Sequence, residues 1–435
     1  MPQHLRYTLL SLRDLAVSIG PFVLLAATLL GLAYWWLDPN PPKRVTLATG
    51  PAQSAYEAFG QGYAKALKAD GIEVVLVPTE GSAANLALLR AGQVDLGFVQ
   101  GGTSTYTEAD EEDLASLGSL FIEPLWLFYK SPTELTSLAA LTGQRVNIGT
   151  PGSGVPSLMA KLFDSNRIEV ATLKLSQLEQ TPATVAFLGG ELDAIVFASA
   201  PESLMVQMLL QTPGVRLMNF AQSEAYSRRF PFLSPARLPR GVVDLAGNIP
   251  PDDVRLVAPT TSLITRTGTH PALQQLFAQA GNTLHGGAGW FKNAREFPNR
   301  DNTELPVAKE AERAIKSGAP MLQRYVSFWV ANLVERMWLV LGIILAILLP
   351  LSRVIPPLYA FRVRSRIFRW YAQLRSIEAR VSSPNAATSR DALVSELNEL
   401  ETRAENINVP LSYTDELYAL RSNIALVRAK LQGQR

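Results

Sequence analysis

Two charge-free apolar runs bracket this chain, residues 15–37 near one end and 337–351 toward the other, with sequence of globular composition between them. At about 1.5 Å per residue, each run crosses or nearly crosses a hydrocarbon core of roughly 30 Å. The second is the weaker span. Glu335 and Arg336 interrupt an apolar stretch that starts at Tyr325, which leaves the segment before them free to lie along a surface.

Between the runs, short β-rich segments at 45–49, 74–78, 94–99, 146–149, 194–197 and 215–220 alternate with helical patterns at 56–69, 83–91, 155–163, 183–188 and 202–210. Strands separated by helices predict parallel sheets covered on both faces, so the fold class is α/β. An internal echo sharpens this. The phrase Leu88–Val99 resembles Phe187–Phe197, each a helix end, a glycine stop, an Asp and a buried strand, and Val45–Gly50 resembles Val146–Gly152. Two similar α/β lobes facing each other would enclose a cleft. The competing explanation is that any strand-helix-strand unit yields such phrases by chance. Asp95 and Asp193 read as structural turn residues.

The flanks set an orientation. Arg6 and Arg13 precede the first run, and seven arginines from Arg353 to Arg380 follow the second, so both termini are predicted to be cytoplasmic. Tyr34, Trp35 and Trp36 close the first span, and Trp329 and Trp338 open the second, as outer-interface aromatics do. A cleaved signal peptide would end at small residues. This run ends in Trp-Trp-Leu-Asp-Pro, which favours an uncleaved anchor in the inner membrane. The net charge of +2 conceals no basic stripe for nucleic acid, and zero cysteines exclude disulfides, thiolate metal sites and cysteine nucleophiles.

Three loops would line the predicted cleft: Gly50–Ser54, Thr79–Ser82 and Thr150–Gly154, each ahead of a helix. Ligands of open parallel sheets bind beyond the carboxyl ends of strands, where helix N-termini offer unpaired N–H groups. A single such loop is an ordinary capped helix start, whereas three at matching positions point to binding. Enzyme signatures are missing: Pro151 replaces the first glycine of a nucleophile elbow around Ser153, there is no phosphate loop or His-Glu-x-x-His pair, and His270 and His285 have no evident catalytic partner. Neither a cofactor nor a metal is expected.

The stretch Val45–Pro51 with Tyr56, Gly60 and Ala64, then Val77–Leu86 and Gly92–Gln100, and later Gly149–Gly154, resembles the TAXI family of TRAP transporter solute receptors over roughly 45–287. The resemblance implies a periplasmic-binding-protein-like (type II) domain of two hinged lobes that closes on a small, often carboxylate-bearing solute. It implies ligand contacts from Ser54, Tyr56, Gly81, Ser82, Asn85, Gln100, Thr150, Ser153 and Gly154, and a TRAP permease subunit as partner. Asn85 has a plain alternative, exposed on a first turn and bonded to water.

The chain departs from that pattern in having Glu80 where the family has Gly, and Gln53-Ser54 where it has a glycine pair. A carboxylate at Glu80 would bias the cleft toward amino-containing or neutral solutes, unless Glu80 points to solvent. The predicted organisation is a cytoplasmic stretch 1–14, a transmembrane helix 15–37, a periplasmic two-lobed solute-binding domain 38–325, an interfacial segment with a second transmembrane helix 326–355, and a cytoplasmic helical region 356–435. Within the last, 361–380 reads as a basic amphipathic helix on membrane lipids or as a continued membrane helix. After a break at Ser382–Asn385, apolar faces at Leu393, Leu397, Leu400 and Ala404 and at Leu417, Leu420, Ile424, Val427 and Leu431, separated at Asn408–Pro410 and capped by Ser412 or Thr414, predict a helical hairpin or an oligomerising coil. The alternative function is a membrane-tethered sensor or scaffold that signals to these helices.

Overall fold

The computed structural model describes residues 3–38, 40–201, 203–381, 390–405 and 413–433. It separates into two compact units, one of residues 40–332 and one of the N-terminal segment together with residues from 333 onward.

In chain order the 40–332 unit follows α1 (Gln3–Leu37) and begins with β1 (Arg44–Ala48), α2 (Ala55–Lys68), β2 (Glu73–Val77), α3 (Ser82–Arg90), β3 (Leu96–Gln100), α4 (Glu108–Asp113), β4 (Leu114–Ile122) and β5 (Leu125–Tyr129). Then come β6 (Arg145–Asn147), α5 (Val155–Ser165), β7 (Lys174–Ser176), α6 (Gln180–Leu188), β8 (Ala194–Ala198), α7 (Leu204–Leu210) and β9 (Arg216–Leu217). The unit is completed by α8 (Ser223–Arg229), β10 (Leu233–Leu238), β11 (Val254–Arg266), α9 (Pro271–His285) and α10 (Lys309–Ser317).

Among the described residues these strands form two sheets. The first runs β10-β11-β3-β1-β2, with β4 also paired to β11, and the second runs β7-β6-β8-β5-β9. Within each, a parallel triad (β2-β1-β3, β7-β6-β8) is flanked by one antiparallel strand, β11 or β5. The sheets are therefore mixed, not purely parallel. The antiparallel strands escaped the sequence pattern because 114–129 is almost uninterruptedly apolar and 254–266 contains Pro259, which demotes a strand reading. Pro259 sits where β11 stops pairing with β10, so its missing N–H costs little. The strand expected at 215–220 shrinks to β9.

The echo between the halves is physical. Asp95 Oδ2 accepts from Thr46 N at 2.8 Å and Thr46 Oγ1 at 2.7 Å, and Asp193 Oδ2 accepts from Arg145 N at 2.9 Å. Each Asp thus fastens the start of the third parallel strand to the start of the first. Ahead of each stands a glycine with positive φ, Gly92 at +69° and Gly190 at +84°, ending the preceding helix. Both aspartates are structural, as their place in the sequence implies.

Among the described residues, the two largest apolar cores of this unit follow the two sheets. One gathers β5, β6 and β8 with Leu158, Phe163 and Phe187 and reaches Leu256, Val257 and Ala258 of β11. The other gathers Val45, Leu47, Phe98 and Leu263 with Tyr63 of α2 and Phe277 of α9. The chain changes core at 122–125 and again near 259–263, and Glu123 N donates to Pro259 O at 2.9 Å where the two crossings meet. Trp126 is fully buried beside this point, its Nε1 donating to Ser199 O at 2.8 Å.

Beyond α10 the chain continues into α11 (Phe328–Ser352), α12 (Ile355–Val381), α13 (Arg390–Glu405) and α14 (Thr414–Gly433). The first residues of α11 belong to the 40–332 unit: Phe328 joins the first-sheet core, and Trp329 Nε1 donates to Asp70 O at 2.9 Å. Trp329 is thus a half-buried packing residue. Ile19–Leu37 and Phe328–Ser352 are long and apolar enough to cross a membrane, and Leu24, Trp36, Leu345 and Leu349 among others are exposed along them.

In the other unit, Val363, Ile367, Leu374 and Ile377 of α12 are buried against Leu397, Leu400, Ile424 and Val427 of α13 and α14. Most of the apolar face of 361–380 is therefore spent on a three-helix core, with Phe361 and Phe368 left exposed, which corrects the reading of that face as lying whole on lipid. The heptad positions of α13 and α14 self-pack, with α12 as the third member that the sequence pattern did not supply. Ser382–Asn385, Asn408–Pro410 and Ser412 lie outside the described residues.

Asp95→Ala removes the acceptor of a part-buried pair of hydrogen bonds and is expected to cost about 1–3 kcal/mol. Asp193→Ala, whose Arg145 partner is solvent-exposed, should cost less. Urea unfolding of the full chain in detergent, followed by intrinsic fluorescence, checks the order of the two.

Candidate functional site

A cavity of about 850 Å³ opens beyond the carboxyl ends of the parallel strands of both sheets. Its lining comes from the segments that follow them, including Ser54 after β1, Thr79–Ser82 after β2, Gln100 at the end of β3, Gly149, Thr150, Ser153 and Gly154 after β6, Glu179 after β7 and Ser199 after β8. Open α/β sheets place ligands at this end because the strands diverge and helix N-termini point inward.

On the first-sheet side the wall is polar and connected. Ser82, the first residue of α3, accepts from Gln100 N at 3.0 Å through Oγ, and that oxygen lies 2.8 Å from the Tyr56 hydroxyl. Tyr56 donates to Glu123 Oε2 at 3.2 Å, and its hydroxyl lies 3.4 Å from Thr261 Oγ1. Glu123 is only 2% exposed, and burial pushes its carboxyl up to about 8 against the opposing hydrogen bonds from Tyr56 and Thr261. At neutral pH it is therefore mostly protonated. Burial also raises the Tyr56 hydroxyl, with the neighbouring Glu123 charge adding to it. Gln100 is equally buried, and its Nε2 has no hydrogen-bond partner.

The two halves touch along one edge of the cavity. Glu80 Oε2 accepts from Gly152 N at 3.0 Å, and Ala84 N, in the first turn of α3, donates to Gly152 O at 3.0 Å. Gly81 has φ +134°, and a Cβ on it would meet Ser153 Cα at 3.3 Å, so the close approach needs glycine there. Lys161 Nζ of α5 reaches Gly102 O at 2.7 Å, adding a third bridge. Gln53, standing where the TAXI pattern has glycine, adopts φ +64°, a left-handed conformation that glycine takes at little cost.

Of the residues singled out from sequence, Ser54, Tyr56, Glu80, Gly81, Ser82, Gln100, Thr150, Ser153 and Gly154 line this cavity. Asn85 does not. It is fully buried beneath, Nδ2 donating to Thr49 O at 2.8 Å and Phe98 O at 2.9 Å while Oδ1 accepts from Thr79 Oγ1 at 2.6 Å. It braces the ends of β1 and β3 and the loop after β2, in neither of the roles considered for it. Ser54 serves as N-cap of α2, accepting from Glu57 N at 3.2 Å.

Sequence reasoning missed Glu123 and the apolar wall of Val196, Phe197, Met205 and Met208 on the second-sheet side. The signal for Glu123 was present: it is the lone acid in the apolar stretch 114–129. The two histidines stand apart from the lining. His270 Nδ1 accepts from Ala272 N at 3.1 Å at the start of α9, and His285 lies 3.1 Å from the Tyr63 hydroxyl, its pKa lowered by burial to about 3.

Between pH 4.5, the ordinary carboxyl value, and about 8, folded Glu123 holds a proton that the unfolded chain has released. Its contribution to stability therefore falls as pH rises through that window and is level above it. Glu123→Gln should flatten this slope. The difference in unfolding free energy, wild type minus variant, measured by urea titration from pH 5 to 9, should decline to about pH 8 and then stay constant.

Residues 47–272, more than half of the chain and spanning both sheets, match the model of the NMT1-like family. Among solved structures, the chain is similar to the periplasmic aliphatic sulphonate binding protein SsuA from Escherichia coli, at 15% identity over 55% of this chain and 69% of that one, TM-score 0.37. It is similar to the alkanesulfonate-binding protein SsuA from Xanthomonas axonopodis pv. citri bound to MOPS, at 15% identity over 56% and 75%, TM-score 0.38. An ancestral arginine-binding protein bound to arginine matches at 15% identity over 56% and 93%, TM-score 0.37. On the extent of the family match, this chain belongs to the NMT1-like family.

Proposed function

We propose that this chain is a membrane-anchored solute receptor that captures a small polar molecule between two α/β halves and does no chemistry on it. The observation that carries this reading is the cavity of about 850 Å³ at the carboxyl ends of two matched strand triads. That volume lies in the range of small-molecule sites. Bridges such as Glu80–Gly152 give a closed state its contacts, and a solute that binds this arrangement better than an open one would shift the population toward it.

The anchors are α1 and α11, whose exposed apolar side chains fit lipid as their solvent. The arginine-rich flanks favour cytoplasmic termini at the inner membrane, with 40–332 in the periplasm. The partner on this reading is a TRAP-type permease that recognises the closed form. A carboxylate on the solute would have neutral donors, Ser82, Gln100 and Ser153, because among the described residues no Lys, Arg or His lines the cavity.

One observation favours a second reading, a sensor. Helices α12, α13 and α14 build a core of their own, which capture alone does not require. Truncation after Ser352 separates the two: a transport receptor keeps solute uptake in cells, whereas a sensor keeps binding and loses its downstream output.

The receptor reading itself is tested by scanning calorimetry of the full chain in detergent against a broad panel of charged and neutral metabolites. A ligand at 100 times its dissociation constant adds about 2.7 kcal/mol and should raise the first unfolding transition by several degrees. Ser82→Ala should weaken that ligand. A panel without any stabilising compound overturns the reading.

A further inference from the structure

We propose that the solute carries an ammonium group, with the Glu123 carboxylate as its counter-charge, a neighbouring acceptor oxygen for Gln100 Nε2, and an apolar body against the second-sheet wall. This rests on the receptor reading and narrows it to a chemical class.

The charges facing the cavity are of one sign. Among the described residues Glu80, Glu123 and Glu179 line it, and no basic side chain does. Two of the three have other circumstances: Glu80 is engaged with Gly152 N across the closing edge, and Glu179 is exposed. Glu123 is buried at the point where both chain crossings meet, and its side chain faces hydroxyls of Tyr56 from α2 and Thr261 from β11. Tyr56 is the titratable group among these neighbours. A carboxyl held without a cation partner in a ligand-sized cavity is poised to receive one, because pairing offsets the desolvation that burial imposes on its charged form.

Gln100 supplies an independent observation. Gln100 lines the cavity, its amide nitrogen is buried with no acceptor, and a buried unsatisfied donor is costly enough to call for one. The backbone N–H of Gln100 is joined to the Glu123 carboxyl through Ser82 and Tyr56, so the residue that carries the free amide is held in register with the carboxyl. Opposite stand Val196, Phe197, Met205 and Met208, to which an alkyl or aromatic body is the fitting complement.

Proton balance follows. The ligand enters as the ammonium ion, the carboxyl proton of Glu123 leaves to solvent, and an ion pair remains in the site. Binding at neutral pH is therefore accompanied by proton release.

The test uses the full chain in detergent with three probes of one carbon skeleton: L-leucinol, 4-methylpentanoate and 4-methylpentan-1-ol. L-leucinol should raise the unfolding temperature more than either of the others. Its binding heat should differ between phosphate and Tris buffers by the amount that proton release predicts, and Glu123→Gln should weaken it by about tenfold or more, as expected when a charged hydrogen bond is lost. The proposal is overturned if 4-methylpentanoate or the alcohol stabilises as well as L-leucinol, if no probe stabilises, or if Glu123→Gln binds L-leucinol as tightly as wild type. Should that variant not fold, equal wild-type heats in the two buffers overturn it as well. An anionic compound as the only hit of the broader panel sinks this inference and leaves the receptor reading standing, whereas silence across the whole panel sinks both.

Discussion

The arrangement of the 40–332 unit depends on where the chain passes from one apolar core to the other. It does so beside Glu123 and near Pro259, and a backbone hydrogen bond joins the two passages. With β5 lent to one sheet and β11 to the other, each parallel triad gains an antiparallel neighbour, and the open ends of both triads are turned toward the same space. A cavity is what remains when two such sheets, each with its own packed interior, are joined by narrow crossings and touch along an edge. The geometry of this cavity is a product of connectivity first and of side chains second.

A large part of this was legible in the sequence, and the remainder hidden, for physical reasons. The matched glycine-aspartate phrases were readable because both do local jobs, ending a helix and fastening one strand start to another, that fix residue type and spacing together. Loops ahead of helices were readable for the same reason, and Ser54, Glu80, Gly81, Ser82, Thr150, Ser153 and Gly154 from them line the cavity. Asn85 misled because a helix-start amide looks alike whether it faces a ligand or braces strand ends; only the three-dimensional partners decide. The antiparallel strands were obscured by uniform apolarity and by a proline, neither of which carries the period of two that reveals a strand.

The same limit governed the distal helices. An arginine-rich amphipathic face is compatible with lipid and with protein alike, and periodicity records that a face is apolar without recording what covers it. In the structure α13 and α14 cover most of it. Glu123 teaches the converse lesson: an acid alone in an apolar run is an energetic anomaly that burial makes costly, and anomalies of that kind are where a fold gives up stability for a task.

The peptide at Gly152 is gripped from both sides, its carbonyl by the first turn of α3 and its N–H by the Glu80 carboxylate. The protein thereby carries an internal competitor for its own α3 terminus. On the proposed receptor reading, a guest wanting those donors would first have to displace a tethered rival of very high effective concentration, which would favour guests that settle deeper, among side chains the rival does not reach.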